Sequence, residues 1–298
     1  MGNTAGYFPV EPTVSCDSAP GSEYVGAYGL SLRGIISQHS LLQSRPEWPV
    51  WHLKWHQDPS TDPATQEESW SDDRAVVAVQ PAGRAVLERA TSLTTWLTPV
   101  LPSPEAMVHP LLASTAVVVA QWLGRASFHA GAIAVEGRVW GILGERGMGK
   151  TSTLLGAHRA GITVITDDVL VVDGEIAYSG PRCLDLRGDA AKRFDCGRPL
   201  GIVGTRDRWR LDLPPAPPTL PFAGWVVLQW EQSVHVEPLG AGPRLTALAA
   251  NRGLRVPGID IPGLLDLVAR PAVVFSRPRN WAQFDGALAM LLEVLSQT

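Results

Sequence analysis

Cysteine and lysine are both scarce in this chain of 298 residues, and the scarcity of cysteine excludes two classes of protein. The three cysteines, Cys16, Cys183 and Cys196, are far apart and form no C-x-x-C pair. A disulfide framework and a structural zinc site are therefore not expected, and the pattern suits a reducing cytosol. Lysine occurs only at positions 54, 150 and 192, whereas the chain otherwise uses arginine. A lysine inside a motif therefore stands out.

Strong net charge and long apolar runs are also absent. The formal net charge is −4 and the pI is near 6.0, so neither nucleic acid nor an anionic membrane is an expected partner. The longest mostly apolar run, Leu111 to Leu123, is about 13 residues, too short to cross a bilayer. The segment from Met1 to Tyr7 lacks the basic and apolar regions of a signal peptide. We expect a soluble, cytoplasmic protein.

A phosphate-binding pattern, G-x-x-x-x-G-K-[ST], lies near the middle of the chain. Its residues are Gly144, Glu145, Arg146, Gly147, Met148, Gly149, Lys150 and Thr151, followed by Ser152. Glycines let the backbone curl so that N–H groups face a phosphate, the lysine adds a positive charge, and the hydroxyl after it can bind Mg²⁺. The alternative is a glycine-rich turn with an incidental lysine.

The surroundings of this pattern favour the phosphate loop. Residues 137–143 are typical of a buried strand, and Thr151 to Ala160 is typical of a helix that ends at Gly161. A strand, a loop and a helix in this order are the setting that the pattern requires. The N-terminus of the helix would also direct its positive end at the bound anion.

Two carboxylates follow the phosphate loop at a suggestive distance. Asp167 and Asp168 lie 17 and 18 residues after Lys150, which is the length of one helix and one returning strand. Such a return would place both beside the loop, where phosphoryl transfer needs a metal ligand and a group that accepts a proton. The alternative is a solvated turn that leads into the next hairpin.

Several other charged residues each have a structural and a functional interpretation. His129 precedes the hairpin that leads into the loop, and on its own it is more typical of a structural histidine. Asp185 lies inside an apolar strand and needs a partner, either a metal or an arginine. The arginines of the later segment can face phosphate or an acidic substrate, or form a solvated basic turn; they are Arg206, Arg208 and Arg210.

The rest of the chain predicts an α/β protein in two parts. Residues 1–22 form a loose lead-in, residues 57–73 a loop or linker, and Ala85 to Leu97 a helix within a small α+β domain. Prolines at 99, 102 and 104 place a boundary near residue 105. A helix over Pro110 to Leu123 then begins the second part, residues 106–298, where strands and helices alternate.

Several of these segments together resemble one known family. They are residues 128–135, the phosphate loop, Asp167-Asp168, and the run Leu184-Asp185-Leu186-Arg187-Gly188. The arrangement resembles the catalytic domain of HPr serine kinase/phosphorylase, and most closely the kinases of biosynthetic clusters that phosphorylate lasso-peptide precursors. This resemblance covers residues 110–298. It implies a P-loop kinase core of the HPr kinase C-terminal type, related to phosphoenolpyruvate carboxykinase, and it implies ATP and Mg²⁺.

The resemblance also implies roles for individual residues. His129 matches an active-site histidine, Lys150 the lysine of the loop, and Asp168 the general base. Asp167 precedes Asp168 directly. One of the two would be the base and the other would assist the metal, and the resemblance leaves open which is which. The remaining matches are Thr151 and Asp185 as metal ligands, Arg187 in the same signature as Asp185, and Arg210 as a later active-site arginine.

The expected activity is transfer of the γ-phosphate of ATP to a Ser or Thr hydroxyl of a peptide or protein. After Gly188 the chain departs from the family signature, so neither phosphorylase activity nor HPr as a substrate is implied. A small-molecule hydroxyl kinase, a nucleotidyltransferase, a non-catalytic nucleotide-binding module and a scaffold are the alternatives. A homo-oligomer is also left open.

Overall fold

The computed structural model of the protein describes residues 25–34, 39–60, 68–80, 82–254 and 261–298. Within these ranges the strands form three β-sheets, of eight, nine and three strands. The lead-in predicted for residues 1–22, together with Cys16, lies outside the described residues. Cys183 and Cys196, which the structure describes, are both free thiols.

The eight-stranded sheet contains the N-terminal strands in the order β3-β1-β2-β4-β8-β7-β6-β5. The strands are β1 (Val25–Ala27), β2 (Leu30–Arg33), β3 (Leu42–Gln43), β4 (Val50–Gln57), β5 (Ser69–Trp70), β6 (Arg74–Ala78), β7 (Arg84–Glu88) and β8 (Leu93–Thr98). Buried and more exposed residues alternate along β8, as expected where one face of a sheet covers a core. The indole of Trp51 in β4 donates to the Thr94 hydroxyl in β8 at 2.9 Å and so joins neighbouring strands.

The predicted helix over Ala85 to Leu97 is wrong, because this segment forms the antiparallel pair β7 and β8. Ala85 and Leu87 are fully buried on alternate positions, which is the period of a strand. The described residues from 25 to 103 contain strands but no helix, and whether this part is an α+β domain stays a prediction. The predicted loop at 57–73 holds the short strand β5, while its residues 61–67 lie outside the described ranges.

A helical segment follows the first sheet. It consists of the single turn α1 (Pro104–Ala106), a kinked segment (Met107–Leu111) in which the backbone of His109 is extended, and α2 (Leu112–Trp122), which confirms the predicted helix at its core. The Ser103 hydroxyl caps α1 by accepting from the Ala106 N–H at 3.1 Å. One cluster of buried side chains joins the first sheet to α2, so the core continues across residue 105. The division into two domains at that residue stays a prediction.

The nine-stranded sheet carries the glycine-rich loop. Its strands are β9 (Ala126–Phe128), β10 (Gly131–Val135), β11 (Arg138–Leu143), β12 (Thr163–Thr166), β13 (Leu170–Asp173), β14 (Ile176–Tyr178), β18 (Thr219–Trp230), β19 (His235–Pro238) and β20 (Ala272–Arg277). Strands β11, β18 and β20 are parallel neighbours, with β18 between the other two. Their carboxyl ends therefore meet at one edge of the sheet.

The three-stranded sheet lies between β14 and β18 in the chain. It is formed by β15 (Cys183–Leu186), β16 (Arg198–Val203) and β17 (Arg206–Asp212), with β17 in the middle. β15 confirms the short strand predicted there, while β16, β17 and the helix α4 (Gly188–Phe194) were not predicted. The register pairs Asp185 with Arg210 directly across β15 and β17.

Helices cover both faces of the nine-stranded sheet. They are α3 (Lys150–Arg159), α5 (Ala241–Ala250), α6 (Leu264–Ala269), a 3₁₀ turn (Trp281–Gln283) and α7 (Phe284–Gln297). α3 packs against α7 at Gly156, where a Cβ atom would lie 2.7 Å from the Leu288 side chain. A separate cluster of buried side chains contains Trp225 of β18 and Leu267 of α6, and there the Trp225 indole donates to the Leu267 carbonyl at 3.0 Å. No helix of the described residues is long and apolar enough to cross a membrane.

Most of the predicted hairpins and strands of the second part are confirmed. β10 and β11 pair across Glu136 and Gly137, whose φ angles of 49° and 72° fit a tight hairpin turn. In the next hairpin Asp173 pairs with Ile176, so the turn lies at Gly174 and Glu175. Pro221 lies within β18.

Candidate functional site

The glycine-rich loop joins β11 to α3 with the backbone conformation that its sequence predicts. Gly147 and Gly149 have φ angles of 93° and 85°, in the left-handed region that glycine occupies without strain. No atom of a described residue lies within 4 Å of the position that a Cβ of Gly147 would take. The Lys150 ammonium donates to the Gly144 carbonyl at 2.5 Å and thereby closes the loop. The loop is open on one side and ends at a helix N-terminus, which together can accept an anion.

Two side chains hold the loop from the adjoining strands, and neither was predicted. The Arg277 guanidinium, at the end of β20, donates to the Met148 carbonyl at 2.7 Å. The indole of Trp230, at the end of β18, donates to the Gly147 carbonyl at 3.3 Å. A planar trans peptide directs its C=O and N–H to opposite sides. Fixing the Met148 carbonyl therefore also fixes the direction of the Gly149 N–H.

Arg277 is a buried cation whose charge the surrounding protein compensates poorly. Its guanidinium lies 4.4 Å from the ring centre of Trp230 and 4.8 Å from that of Phe275. Its Nε and Nη1 atoms are buried and have no hydrogen-bond partner among the described residues. Burial lowers the pKa of Arg277 to about 10, so the group still carries its charge at neutral pH. Arg277 is the last residue of β20, and no local pattern in the sequence marks it as part of the site.

Asp167 connects the end of β12 to the phosphate loop. Its Oδ1 accepts from the Thr151 hydroxyl at 3.0 Å, and its Oδ2 accepts from the Asp185 N–H at 3.1 Å. Burial raises the pKa of Asp167 to about 6, against the opposing charge of His109. A hydroxyl and a carboxylate at this position are the ligands that a hard divalent cation takes in phosphate-loop proteins.

Asp168 makes a different set of contacts from its neighbour. His129 Nδ1 lies 3.1 Å from Asp168 Oδ1, and the two side chains are 37% and 35% exposed. Burial raises the pKa of Asp168, but the hydrogen bond from His129 and nearby positive charges outweigh it and hold the pKa well below its ordinary value. The backbone N–H of His129 is itself anchored on the Asn251 carbonyl at 2.7 Å. Asp168 is thus an ionised, reachable carboxylate.

Asp185 is paired with arginine, which is one of the two partners that its sequence position predicts. Arg210 donates to Asp185 from Nε at 2.7 Å and from Nη2 at 2.9 Å, and Arg208 adds a third bond at 3.0 Å. The side chains of Asp185 and Arg210 are both 1% exposed. Arg210 also donates to the carbonyls of Glu105 and His109, at 2.9 and 3.0 Å. The ion pair thereby ties the three-stranded sheet to the α1 segment.

The predicted site residues fall into two groups. The loop, Thr151, Asp167, Asp168 and His129 are linked to one another by the contacts above or by chain adjacency. Arg210 instead lies in the buried ion pair with Asp185, and the roles predicted for these two residues stay predictions. Arg187 is exposed at the start of α4, and Arg146 is exposed in the loop. His109, which the sequence did not single out, is buried with Nε2 3.8 Å from Asp185 Oδ2.

The residues around the loop offer few ligands for a metal ion. Among the described residues, no group of three or more His, Cys, Asp and Glu side chains is arranged to hold a metal ion. Mg²⁺ in nucleotide sites is bound by only one or two protein groups together with phosphate oxygens and water. The Thr151 hydroxyl and the Asp167 carboxylate fit that smaller requirement.

Comparison with known proteins shows likeness at the level of solved structures. No protein-family model matches the chain, and no curated protein matches it. Among solved structures, it is similar to the Hpr(Ser) kinase/phosphatase from Coxiella burnetii, with 11% identity and a TM-score of 0.30. The alignment covers 57% of this chain and 97% of that chain. A likeness of this size carries no argument about the chemistry of the site.

Proposed function

We propose that this protein is an ATP-dependent kinase that transfers the γ-phosphoryl group to a Ser or Thr hydroxyl of a peptide or protein. The proposal is carried by the position of Asp168. This ionised and partly exposed carboxylate follows Asp167 directly, and Asp167 is bound to Thr151 of the glycine-rich loop. A proton acceptor beside a phosphate loop is the pair of groups that hydroxyl phosphorylation needs.

The part of the site that would bind ATP is the glycine-rich loop together with Arg277 and Trp230, which hold it in place. The N–H groups of the loop and of the first turn of α3 would hold the phosphates of ATP, and Lys150 would exchange the Gly144 carbonyl for a phosphate oxygen. Arg277 and Trp230 keep the loop carbonyls directed away from that anion. Thr151 and Asp167 would hold Mg²⁺, which neutralises charge on the phosphates when it is bound.

The transfer half of the site is the pair of Asp168 and His129. As the acceptor oxygen bonds to the γ-phosphorus, the bond from that phosphorus to the β,γ-bridging oxygen breaks and ADP leaves. Asp168 takes the hydroxyl proton on its Oδ2, since His129 occupies Oδ1. Both oxygens of Asp167 are engaged with Thr151 and with the Asp185 N–H, which favours Asp168 as the base.

The substrate class rests on the sequence resemblance. The proposed acceptor is the precursor of a ribosomally made, lasso-type peptide in the cytoplasm. The alternatives are a small-molecule hydroxyl such as free serine, nucleotidyl transfer at the same site, and ATP binding without transfer.

Mass spectrometry of candidate acceptors after incubation with the protein, ATP and Mg²⁺ tests the proposal. The acceptors are peptides that end in serine, an HPr protein and free serine, and the Lys150→Ala variant is the control. We expect a gain of about 80 Da, one phosphoryl group, on a peptide and no gain with the variant. If an acceptor instead gains the mass of a nucleotidyl group, the reaction is nucleotidyl transfer and the kinase proposal is wrong. Tight ATP binding with no modified acceptor would leave a nucleotide-binding module.

A further inference from the structure

Four arginines form a cluster beside the proposed base. The arginine cluster consists of Arg146 in the loop, Arg187 directly after β15, and Arg206 and Arg208 on β17. Alternate residues of a strand lie on the same face, so Arg206 and Arg208 share one face of β17. Leu186 pairs with Trp209, which brings Arg187 opposite Arg208 in the same register.

Hydrogen bonds link the cluster to the segment that carries Asp168. Arg208 donates to the Asp185 carboxylate at 3.0 Å, and the Asp185 N–H donates to Asp167, the residue before Asp168, at 3.1 Å. The charges agree with this placement: those of Arg146, Arg187 and Arg208 lower the pKa of Arg206, which burial also lowers, while the charge of Asp168 raises it. The charge of Arg208 lowers the pKa of Asp168 in turn. Arg206 and Arg208 therefore lie beside the carboxylate that would receive the acceptor hydroxyl, and Arg146 and Arg187 are near Arg206.

The cluster lacks the counter-charges that a structural ion network would have. The guanidinium groups of Arg146, Arg187 and Arg206 form no hydrogen bond or ion pair with any residue that the structure describes. Arg208 is bound to Asp185, yet its Nε is buried with no partner among the described residues. Like charges gathered in this way repel one another, and such arrangements are typical of sites that bind an anion.

The adjacent ion pair of Arg210 with Asp185 shows the hydrogen-bond partners that a buried structural arginine has in this protein. Arg210, two residues along the same strand, has a bidentate carboxylate partner and two backbone carbonyls as further acceptors. Arg206 and Arg187 have no comparable partners, and Arg187 is exposed to solvent. Their guanidinium groups are therefore available to a ligand.

We propose that the arginine cluster binds an anionic group, a carboxylate or a phosphate, which the acceptor carries close to its reactive hydroxyl. This inference rests on the proposed function. The guanidinium fork matches both oxyanions and binds them through two parallel hydrogen bonds. The nucleotide phosphates would already be held by Lys150 and the loop amides. The acceptor hydroxyl must reach Asp168. The arginines beside Asp168 would therefore lie next to the bound acceptor.

Matched acceptor peptides test the inference by kinetics. All are N-acetylated and contain Gly-Ser followed by a variable group: aspartate amide, phosphoserine amide, a free carboxyl terminus, or the neutral asparagine amide. We expect kcat/KM to favour at least one anionic peptide over the neutral one by about tenfold or more, since a charge-assisted bidentate contact is worth about that factor. The three anionic peptides distinguish a side-chain carboxylate, a phosphate and a terminal carboxylate.

Variants identify the residues responsible. In Arg206→Gln and Arg187→Gln the preference for the anionic peptide should fall by about tenfold, while the Kd for ATP stays within about twofold. Arg74→Gln, an exposed arginine on β6, is the matched control and should keep the preference. A preference unchanged in both cluster variants, or a rise in the Kd for ATP without a change in preference, would overturn the inference.

Peptide binding separates this inference from the proposed function. The same peptides with alanine in place of serine cannot be phosphorylated, and their binding to the protein with Mg²⁺ and a non-hydrolysable ATP analogue can be measured by calorimetry. Tighter binding of an anionic peptide, lost in Arg206→Gln, would support the cluster even if no transfer is detected. Equal binding of charged and neutral peptides, or no binding of either, would refute it even if transfer is observed.

Discussion

Replacement of Arg277 by methionine should weaken ATP binding strongly while changing the stability of the fold little. Methionine keeps a long, unbranched side chain between Trp230 and Phe275, but it removes the charge and the bond to the Met148 carbonyl. Affinity and stability should respond differently because Arg277 makes one strong contact to the loop and also carries buried, unpartnered nitrogens.

The magnitudes follow from those two features. A hydrogen bond from a charged donor contributes about 1.5–3 kcal/mol, and Arg277 donates two, to the Met148 carbonyl at 2.7 Å and to the Thr153 hydroxyl at 3.3 Å. Each buried nitrogen without a partner costs about 1–3 kcal/mol, and the variant removes both of them. The free energy of unfolding should therefore stay within about 2 kcal/mol of wild type. Loss of the loop orientation should raise the Kd for ATP by about 10- to 150-fold.

Urea unfolding and calorimetric titration with Mg²⁺–ATP measure the two quantities on the same samples. Arg74→Met is the control, since that side chain is exposed on β6, far along the chain from the loop. Arg277→Lys keeps a charge without the planar fork and should lie between wild type and Arg277→Met. An unchanged Kd in Arg277→Met would refute the role assigned to this residue. A loss of stability much larger than about 2 kcal/mol would show that its contribution is to folding.

Two further predictions concern the carboxylates. Because the pKa of Asp167 in the folded protein is about 6, above its ordinary 3.8, the group loses its charge as the pH falls through about 6. Mg²⁺–ATP affinity should then fall more steeply below pH 6 in wild type than in Asp167→Asn, where only the terminal phosphate of ATP still titrates. Parallel curves from calorimetry between pH 5 and 7.5 would contradict this. Asp185→Ala should lower the free energy of unfolding by about 3–5 kcal/mol, because it leaves Arg210 buried and unpaired. A loss below about 1 kcal/mol in urea unfolding would mean that another group compensates the charge of Arg210.

Features encoded by neighbouring residues were predictable from the sequence. The turn at Glu136 and Gly137 and the strand, loop and helix around Lys150 depend on local backbone preferences and on short hydrophobic patterns. The spacing from Lys150 to Asp167 was sufficient to predict their proximity, because one helix and one strand return the chain to the same edge of the sheet.

Features that depend on distant pairing were not predictable in the same way. Residues 85–97 contain good helix formers such as leucine, alanine and glutamate, but pairing between β7 and β8 buries Ala85 and Leu87, and tertiary packing outweighs local propensity. Arg277 and Trp230 reach the loop only because β18 and β20 run parallel to β11. No local signal in the sequence specifies that order of strands.

The partner of Asp185 illustrates the same limit at the level of one side chain. Burial of an acid in an apolar strand required a compensating charge, and the sequence offered both a metal and an arginine. The register of β15 against β17, which places Arg210 opposite Asp185, selects the arginine. The sequence therefore defined the physical requirement, and the tertiary structure supplied the group that meets it.

Phosphoryl transfer by Asp168→Asn, measured together with its affinity for ATP, tests whether Asp168 is the base. Asparagine has nearly the shape of aspartate and can still contact His129, but it cannot take a proton from an acceptor hydroxyl. We expect an unchanged Kd for Mg²⁺–ATP and a fall in kcat of about 10²-fold or more on the best acceptor. Transfer near the wild-type rate with unchanged ATP binding would contradict the assignment of Asp168 as the base.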